Sequence, residues 1–413
     1  MLKYWLWYAE RPGVSKVRRL ELLRYFGGVE AIYLADAVAL SNAPDIMPAE
    51  QAALSDKALT KAEEILAQCY ALGISILTWQ DAQYPPRLRT VRDAPVVLYY
   101  KGSLPEFGLV PCLAIVGARK ATAFGLLTAK RFGYQLGKAG AVVVSGLADG
   151  VDAMAMVGAL SAEAPVVGVL GCGADVVYPA KNRALYDDTV ARGCVLTEYP
   201  PNTPPIAQHF PVRNRIISGL SDGVVVVEAA ARSGSLITAE LALNQGRDVF
   251  AVPGNAGSES CAGSNRLLRE GALFAEHGAD VLAEYAARYP ALRPAQSALS
   301  LDLHPDDLRQ NAAISDPHGE LKVAAQIKKP KKTVDNPKKS NYIELKVLLG
   351  TTPPTQSAIV EALLDGAKSL DDIIDAVQRP TPEILVALTK LEIRQLVRKL
   401  DANRYQLAET ILL

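Results

Sequence analysis

From residue 113 to about residue 290, short apolar runs alternate with helical patterns. The runs at 113–117, 141–145, 166–170, 194–198, 223–228 and 248–252 have strand length and few polar interruptions. Such runs predict strands buried on both faces. Between them, 122–139, 151–161, 182–191 and 236–245 repeat apolar residues at helical spacing. Strand–helix alternation predicts an α/β fold built on a doubly wound parallel sheet. In such sheets ligands bind beyond the carboxyl ends of the strands, so the residues just after each run are the ones to read for chemistry.

The flanks follow other patterns. Residues 1–75 predict short helices: Leu20, Leu22, Leu23 and Phe26 mark one that stops at Gly27-Gly28, another starts near Glu30, and a third covers 57–72. A helical module of the sterile-alpha-motif or helix-hairpin kind fits. Because only Lys16, Arg18, Arg19 and Arg24 cluster in it, packing on a neighbour is preferred to touching a DNA backbone. Residues 76–112 form a connector in which Tyr84-Pro85-Pro86 excludes regular structure, followed by a strand at 96–100. Residues 291–341 turn rich in Pro, Ser, Ala and Asp and end in Lys328-Lys329-Pro330-Lys331-Lys332 and Lys338-Lys339. This predicts a flexible linker with a basic end, a spacer first and a DNA contact second. Residues 342–413 carry three helical patterns and a hairpin turning near Ala402-Asn403. A capping box opens at Ser369, and Thr381-Pro382 begins the third helix. That set predicts a winged-helix domain. Its third helix offers Glu383 and Lys390, which cancel, so protein docking or a vestigial role stands beside duplex reading.

Composition narrows the classes. The chain has 413 residues, too many for one ordinary domain. Its formal net charge is zero, so any nucleic-acid binding must come from a local patch. Cysteines at 69, 112, 172, 194 and 261 show neither CxxC nor metal-ligand spacing and suit a reducing cytoplasm. The four histidines are too scattered for a zinc site. No apolar run approaches the roughly 20 residues of a membrane helix, and the first residues lack a signal-peptide core.

The candidate chemistry gathers at the predicted strand ends. One stretch, 209–239, joins a basic turn around Phe210, Arg213, Asn214 and Arg215 to a strand and then to the small turn Ser233-Gly234-Ser235, which opens a helix. A helix start of that kind favours anions. Taken alone, the arginines read equally as solvated side chains and Ser-Gly-Ser as a simple connector. Other strand ends add Gly117, Arg119 and Lys120, then Ser145 and Gly146, then Lys181, Asn182 and Arg183. Arg119, Lys181, Arg183, Arg213 and Arg215 are expected to converge on one edge of the sheet, with Phe210 able to stack a base. Neither a GxGxxG fingerprint nor a Walker P-loop is present, so the usual dinucleotide and triphosphate sites are excluded.

With these residues in view, the chain resembles the DNA-processing protein A family, also called Smf. The motifs are VGARKAT at 116–122, SGLADGVD at 145–152, YPAKN at 178–182, FPVRNRIISGLS at 210–221, VVEAAARSGSLITA at 226–239 and GRDVFAVPGN at 246–255, with YPPRLRTVRDAPVVLYYKG at 84–102. The resemblance implies an extended Rossmann-like fold over 113–290 that dimerises through itself. It implies a single-stranded DNA-binding mediator of natural transformation that protects incoming strands and delivers them to the recombinase RecA, with single-strand-binding protein as a further partner. It implies no enzyme activity, no cofactor, no metal and no membrane. The chain departs from the family pattern at Met156, where histidine is usual, at Ala118, and at Cys261-Ala262 before Gly263-Ser264-Asn265. Two other readings remain. A nucleotide hydrolase on a related sheet would use Glu198 or Glu228 as acid or base, but its PGGxGTxxE constellation is missing. A winged-helix regulator would read duplex through the C-terminal domain.

Overall fold

The computed structural model describes residues 1–290 and 292, 343–344 and most of 353–412. The chain divides into two compact units, 1–321 and 322–413. The first begins with six helices: α1 (Leu2–Ala9), α2 (Lys16–Phe26), α3 (Val29–Leu34), α4 (Ala37–Ser41), α5 (Pro48–Ser55) and α6 (Thr60–Leu72). Ser15 caps α2 by accepting from the Arg18 amide, and Gly27 ends it at a φ of 78° that glycine adopts without strain. Within the helical module no separate helix was placed at α1, where Trp5, Leu6, Trp7 and Tyr8 follow one another without polar residues between them. All four are buried, as suits a helix that is apolar all round.

The expected connector is largely part of the sheet. It contributes β1 (Ser75–Thr78), a short helix α7 (Pro86–Arg89) and β2 (Val97–Gly102). The sequence pattern had excluded regular structure at Pro85-Pro86. Proline is nonetheless accepted at a helix's first position, where its missing N–H is not needed. The chain then runs β3 (Cys112–Val116), α8 (Ala123–Lys138), β4 (Val142–Ser145), α9 (Val151–Ser161), β5 (Val166–Val169), α10 (Arg183–Arg192), β6 (Cys194–Thr197), α11 (His209–Leu220), β7 (Gly223–Val226), α12 (Gly234–Asn244), β8 (Asp248–Ala251), α13 (Ala262–Arg269), β9 (Leu273–Phe274) and α14 (Gly278–Ala283).

These strands form a nine-stranded sheet in the order β1-β2-β6-β5-β4-β3-β7-β8-β9. From β6 to β9 every pair is parallel, while β1–β2 and β2–β6 are antiparallel. Both faces are covered. Leu113 and Ile115 of β3 point into one apolar layer with Phe132, Leu136 and Ala155 of α8 and α9. Cys112, Ala114 and Val116 point into the other, which continues through Ile216, Ile217 and Ala239 to Trp7, Leu20 and Ile32 of the N-terminal helices. The helical module therefore shares its core with the sheet. Three of its four clustered basic residues have partners within the unit: Lys16 Nζ lies 2.6 Å from Glu198, Arg18 pairs with Glu21 and Glu50, and Arg19 donates to the Arg11 carbonyl, while Arg24 is exposed.

Strand order reverses between β3 and β7. Ala114 pairs with Val144 of β4 on one side and with Val224 of β7 on the other. The connections leaving β3 and β7 diverge there, opening a crevice at their carboxyl ends.

In the second unit, β10 (Ile343–Glu344) pairs in parallel with β14 (Ile411–Leu412), and β11 (Lys368–Ser369), β13 (Arg404–Leu407) and β12 (Val397–Lys399) form an antiparallel sheet. Among the described residues its helices are α15 (Pro354–Ala362), α16 (Leu370–Val377) and α17 (Thr381–Ile393). Ile359, Ile373, Ile384, Leu388 and Tyr405 make a separate core. The Ser369 hydroxyl accepts from the Asp372 amide, and the Asp372 carboxylate accepts in turn from the Ser369 amide. The lysine runs at 328–332 and 338–339, nearly all of the expected linker, and the expected turn at Ala402-Asn403 lie outside the described residues.

Candidate nucleic-acid interface

A cleft of about 440 Å³ occupies the strand-order crevice. Its walls come from the loops after β3, β4, β5 and β6, the turn at Ser233, and the helices α9, α11 and α12. Gly117 and Arg119 follow β3, Ala148 and Asp152 follow β4, Tyr178 follows β5, and Ser233, Gly234 and Ser235 start α12. Phe210, Arg213 and Asn214 come from α11. That last element corrects the sequence reading, in which 209–215 formed a basic turn. It is the first half of a regular helix, because Pro211 sits in the first turn, where no backbone N–H is required.

The helix decides which arginine reaches the cleft. Two residues along an α-helix are about 200° apart, so Arg213 and Arg215 leave α11 on opposite sides. Arg213 is 3% exposed and crosses the cleft floor. Its Nη1 donates to the carbonyls of Gly146, at 2.8 Å, and Val169. Arg215 is 4% exposed and pairs with Glu198, just after β6, and at 3.1 Å with Asp93, between α7 and β2. Arg215 therefore does not join the expected convergence of basic groups.

Asp152 lies beside Arg213 on the floor. Its carboxylate accepts from the Gly146 amide at 3.1 Å. Burial pushes the Asp152 carboxyl upward, and the Arg213 charge opposes that shift. Burial likewise lowers Arg213 to about 10, with Asp152 acting in the other direction, so the guanidinium keeps its charge at neutral pH. Gly146 is needed between them, because a Cβ there would stand 2.6 Å from Arg213 Nη2 and 2.7 Å from Asp152 Oδ2.

At the mouth, the Arg119 guanidinium lies 5.5 Å from the Phe210 ring centre and that of Arg213 lies 5.9 Å from it. The Tyr178 ring sits 5.3 Å from Phe210 at a tilt of 36°. Phe210, expected to stack a base, is half-buried and engaged by these three neighbours. Tyr178 is the open aromatic, 41% exposed. It was missed in the sequence, although YPAKN was noted; the signal was an aromatic residue immediately before a proline at a strand end. Asp152 was missed because its stretch was read for its glycines.

The other expected residues lie around the cleft rather than in it. Lys120 is exposed on the turn after Arg119. Ser145 is fully buried and donates to the Ile115 carbonyl at 2.7 Å. Lys181 pairs with Asp149 at 3.0 Å, Asn182 donates to the Leu147 carbonyl, and exposed Arg183 lies 3.9 Å from Asp187. The cleft thus gathers Arg119, Arg213 and the N-terminal end of the 11-residue α12 against Asp152. The positive side has the larger share, and the helix dipole adds to it. Among the described residues no group of three or more His, Cys, Asp or Glu is set to hold a metal ion, and no helix is long and apolar enough to cross a membrane.

The sequence profile of the DNA recombination-mediator protein A family matches residues 75–286. The chain belongs to this family. The span matched to the DNA recombination-mediator protein A profile holds every residue that lines the cleft, and it begins at β1, as the sheet does. DNA processing protein DprA of Streptococcus pneumoniae is 37% identical over 285 residues, covering 68% of this chain and 98% of that one. Protein Smf of Synechocystis sp. is 30% identical over 407 residues, 98% of each chain. The crystal structure of the Streptococcus pneumoniae protein superposes with a TM-score of 0.61 at 35% identity, over 69% of this chain and 98% of that one.

Proposed function

We propose that the chain is a single-stranded DNA-binding recombination mediator of natural transformation. It acts in the cytoplasm, without catalysis or cofactor, shielding incoming strands and passing them to RecA. The observation that carries this reading is the cleft between the β3 and β7 ends, where two guanidinium groups, two aromatic rings and a helix N-terminus meet. Guanidinium groups and helix dipole suit a phosphate chain, and rings accept bases without choosing sequence. The hydrolase alternative loses its support from geometry. Glu228 is sealed under a turn, and Glu198 is held by Arg215 and Lys16.

The test is fluorescence anisotropy with labelled oligo-dT over a salt series. Arg119→Ala is expected to weaken binding and reduce the log–log salt slope by about 0.7, one phosphate contact on a single strand. Tyr178→Ala is expected to weaken binding by about 1–3 kcal/mol with the slope unchanged, the signature of lost stacking. Wild-type protein that binds no oligo-dT, or an Arg119→Ala variant with an unaltered slope, rules out the cleft as the strand's site.

Homodimerisation belongs to the same proposal. The proposed interface is the stretch 239–283: Leu243, Leu273 and Phe274 are exposed there on α12 and the edge strand β9, while Val252 and Leu267 are buried in the unit itself. A second copy covering this apolar edge explains its composition. Sedimentation is expected to show a dimer at micromolar concentration and a monomer for Leu243→Asp/Phe274→Asp; a wild-type monomer rejects the assignment. The second unit is proposed as a winged helix that docks protein rather than duplex, since α17 exposes Leu385 and Val386.

A further inference from the structure

We infer that Glu228 is a positioning residue for DNA binding: its buried carboxylate locks the Gly117–Thr122 turn that presents Arg119 to the strand. The inference rests on the proposed strand-binding role of the cleft. Glu228 does not line the cleft and is 1% exposed. It stands just past the end of β7, and its side chain crosses to the turn between β3 and α8. There its Oε2 accepts from the Thr122 hydroxyl at 2.7 Å and its Oε1 from the Thr122 amide at 3.1 Å. The Thr122 hydroxyl in turn accepts from the Gly125 amide and caps α8. The Glu228 backbone takes part too, its carbonyl accepting from the Ala118 amide at 2.7 Å. Both ends of the turn that carries Arg119 are thereby tied to one residue of a neighbouring strand end.

The packing around that carboxylate is made to fit it. A Cβ at Gly125 would stand 2.2 Å from Glu228 Oε2, so the first turn of α8 keeps a glycine where the carboxylate enters. The charge sits at the N-terminal end of a 16-residue helix, where the dipole favours an anion. A carboxylate near a polyanion site would ordinarily repel phosphate. Here it is covered by the turn and spent on Thr122, so the strand meets Arg119 and not Glu228. In this arrangement Glu228 acts on DNA only through the residue it positions.

A double-mutant cycle on the full chain tests this, with labelled oligo-dT and a salt series. Glu228→Ala is expected to weaken binding about tenfold, the scale of one charge-assisted contact. It should also lower the log–log salt slope by about 0.7, as Arg119→Ala does. The double variant Arg119→Ala/Glu228→Ala should bind within about twofold of Arg119→Ala alone, because the two changes remove the same contact. Glu228→Gln, which still accepts from the Thr122 amide, should restore most of the affinity and the slope. If Glu228→Ala does not fold, Thr122→Val carries the same expectations through the cycle. Glu228→Ala or Thr122→Val protein that binds with the wild-type slope, or losses that add in the double variant, overturn the inference while leaving the cleft as the binding site. Wild-type protein that fails to bind overturns the function reading itself, and the inference with it.

Discussion

Replacing Arg215 by alanine is expected to cost about 3–5 kcal/mol of folding stability, as for breaking a buried ion pair. The oligo-dT salt slope of the folded variant should match that of wild type. Arg215 belongs to the arginine-rich motif that resembles a DNA-binding stretch, yet its side chain is buried against Glu198 and Asp93. Glu198 also holds Lys16 from the helical module, so the guanidinium sits at the seam between α2 and the sheet. Removing it leaves a largely buried carboxylate with one ammonium partner. The Lys16 ammonium is itself lowered by burial and only partly supported by Glu198. Urea denaturation of the full chain gives the stability and anisotropy gives the slope. A variant as stable as wild type, or one whose slope falls as it does for Arg119→Ala, places Arg215 in the strand path instead.

Gly133→Ala is expected to destabilise the chain by about 1–3 kcal/mol through overpacking, even though alanine is the better helix former by about 1 kcal/mol. The signs oppose, so the outcome separates propensity from packing. A Cβ on Gly133 of α8 would stand 2.0 Å from the Ala155 carbonyl oxygen of α9, and one on Gly158 of α9 would stand 2.0 Å from the Lys130 oxygen of α8. Both obstacles are backbone, so neither helix can yield by a change of rotamer and the pair must separate. The N-terminal ends of α8 and α9 carry the turns that hold Arg119 and Asp152. Separation should therefore weaken oligo-dT binding as well as lower the urea midpoint. An increase in stability in Gly133→Ala would show that the two backbones are not in contact in solution.

Much of the sheet was legible along the chain. Each expected run from 113 to 252 contains a strand, because a strand covered on both faces must be apolar at consecutive positions, as Val142, Val143 and Val144 are. Helices α8, α9, α10 and α12 were legible from spacing, and the C-terminal end of α2 from Gly27. These are local signals, carried by neighbouring residues whatever the rest of the chain does. Helix α1 was hidden because it is buried all round, and α7 and α11 because a proline in a first turn looks like a break until the helix is seen to continue. The strand expected at 96–100 is β2, whereas β1 was absorbed into the connector because it is only four residues long and its partner, β2, lies beyond the Tyr84-Pro85-Pro86 turn.

The site divides in the same way. Residue type marked Arg119, Arg213, Phe210 and the Ser233–Ser235 turn as candidates, and all line one cleft. Charge and spacing alone did not separate Arg213 from Arg215, show Tyr178 as the open ring, or give Glu228 its place beneath the turn. Those facts depend on where strand order reverses, between β3 and β7, and on the helical rotation of α11. Both are set by long-range pairing and by the covering of two sheet faces, which no short stretch of sequence contains.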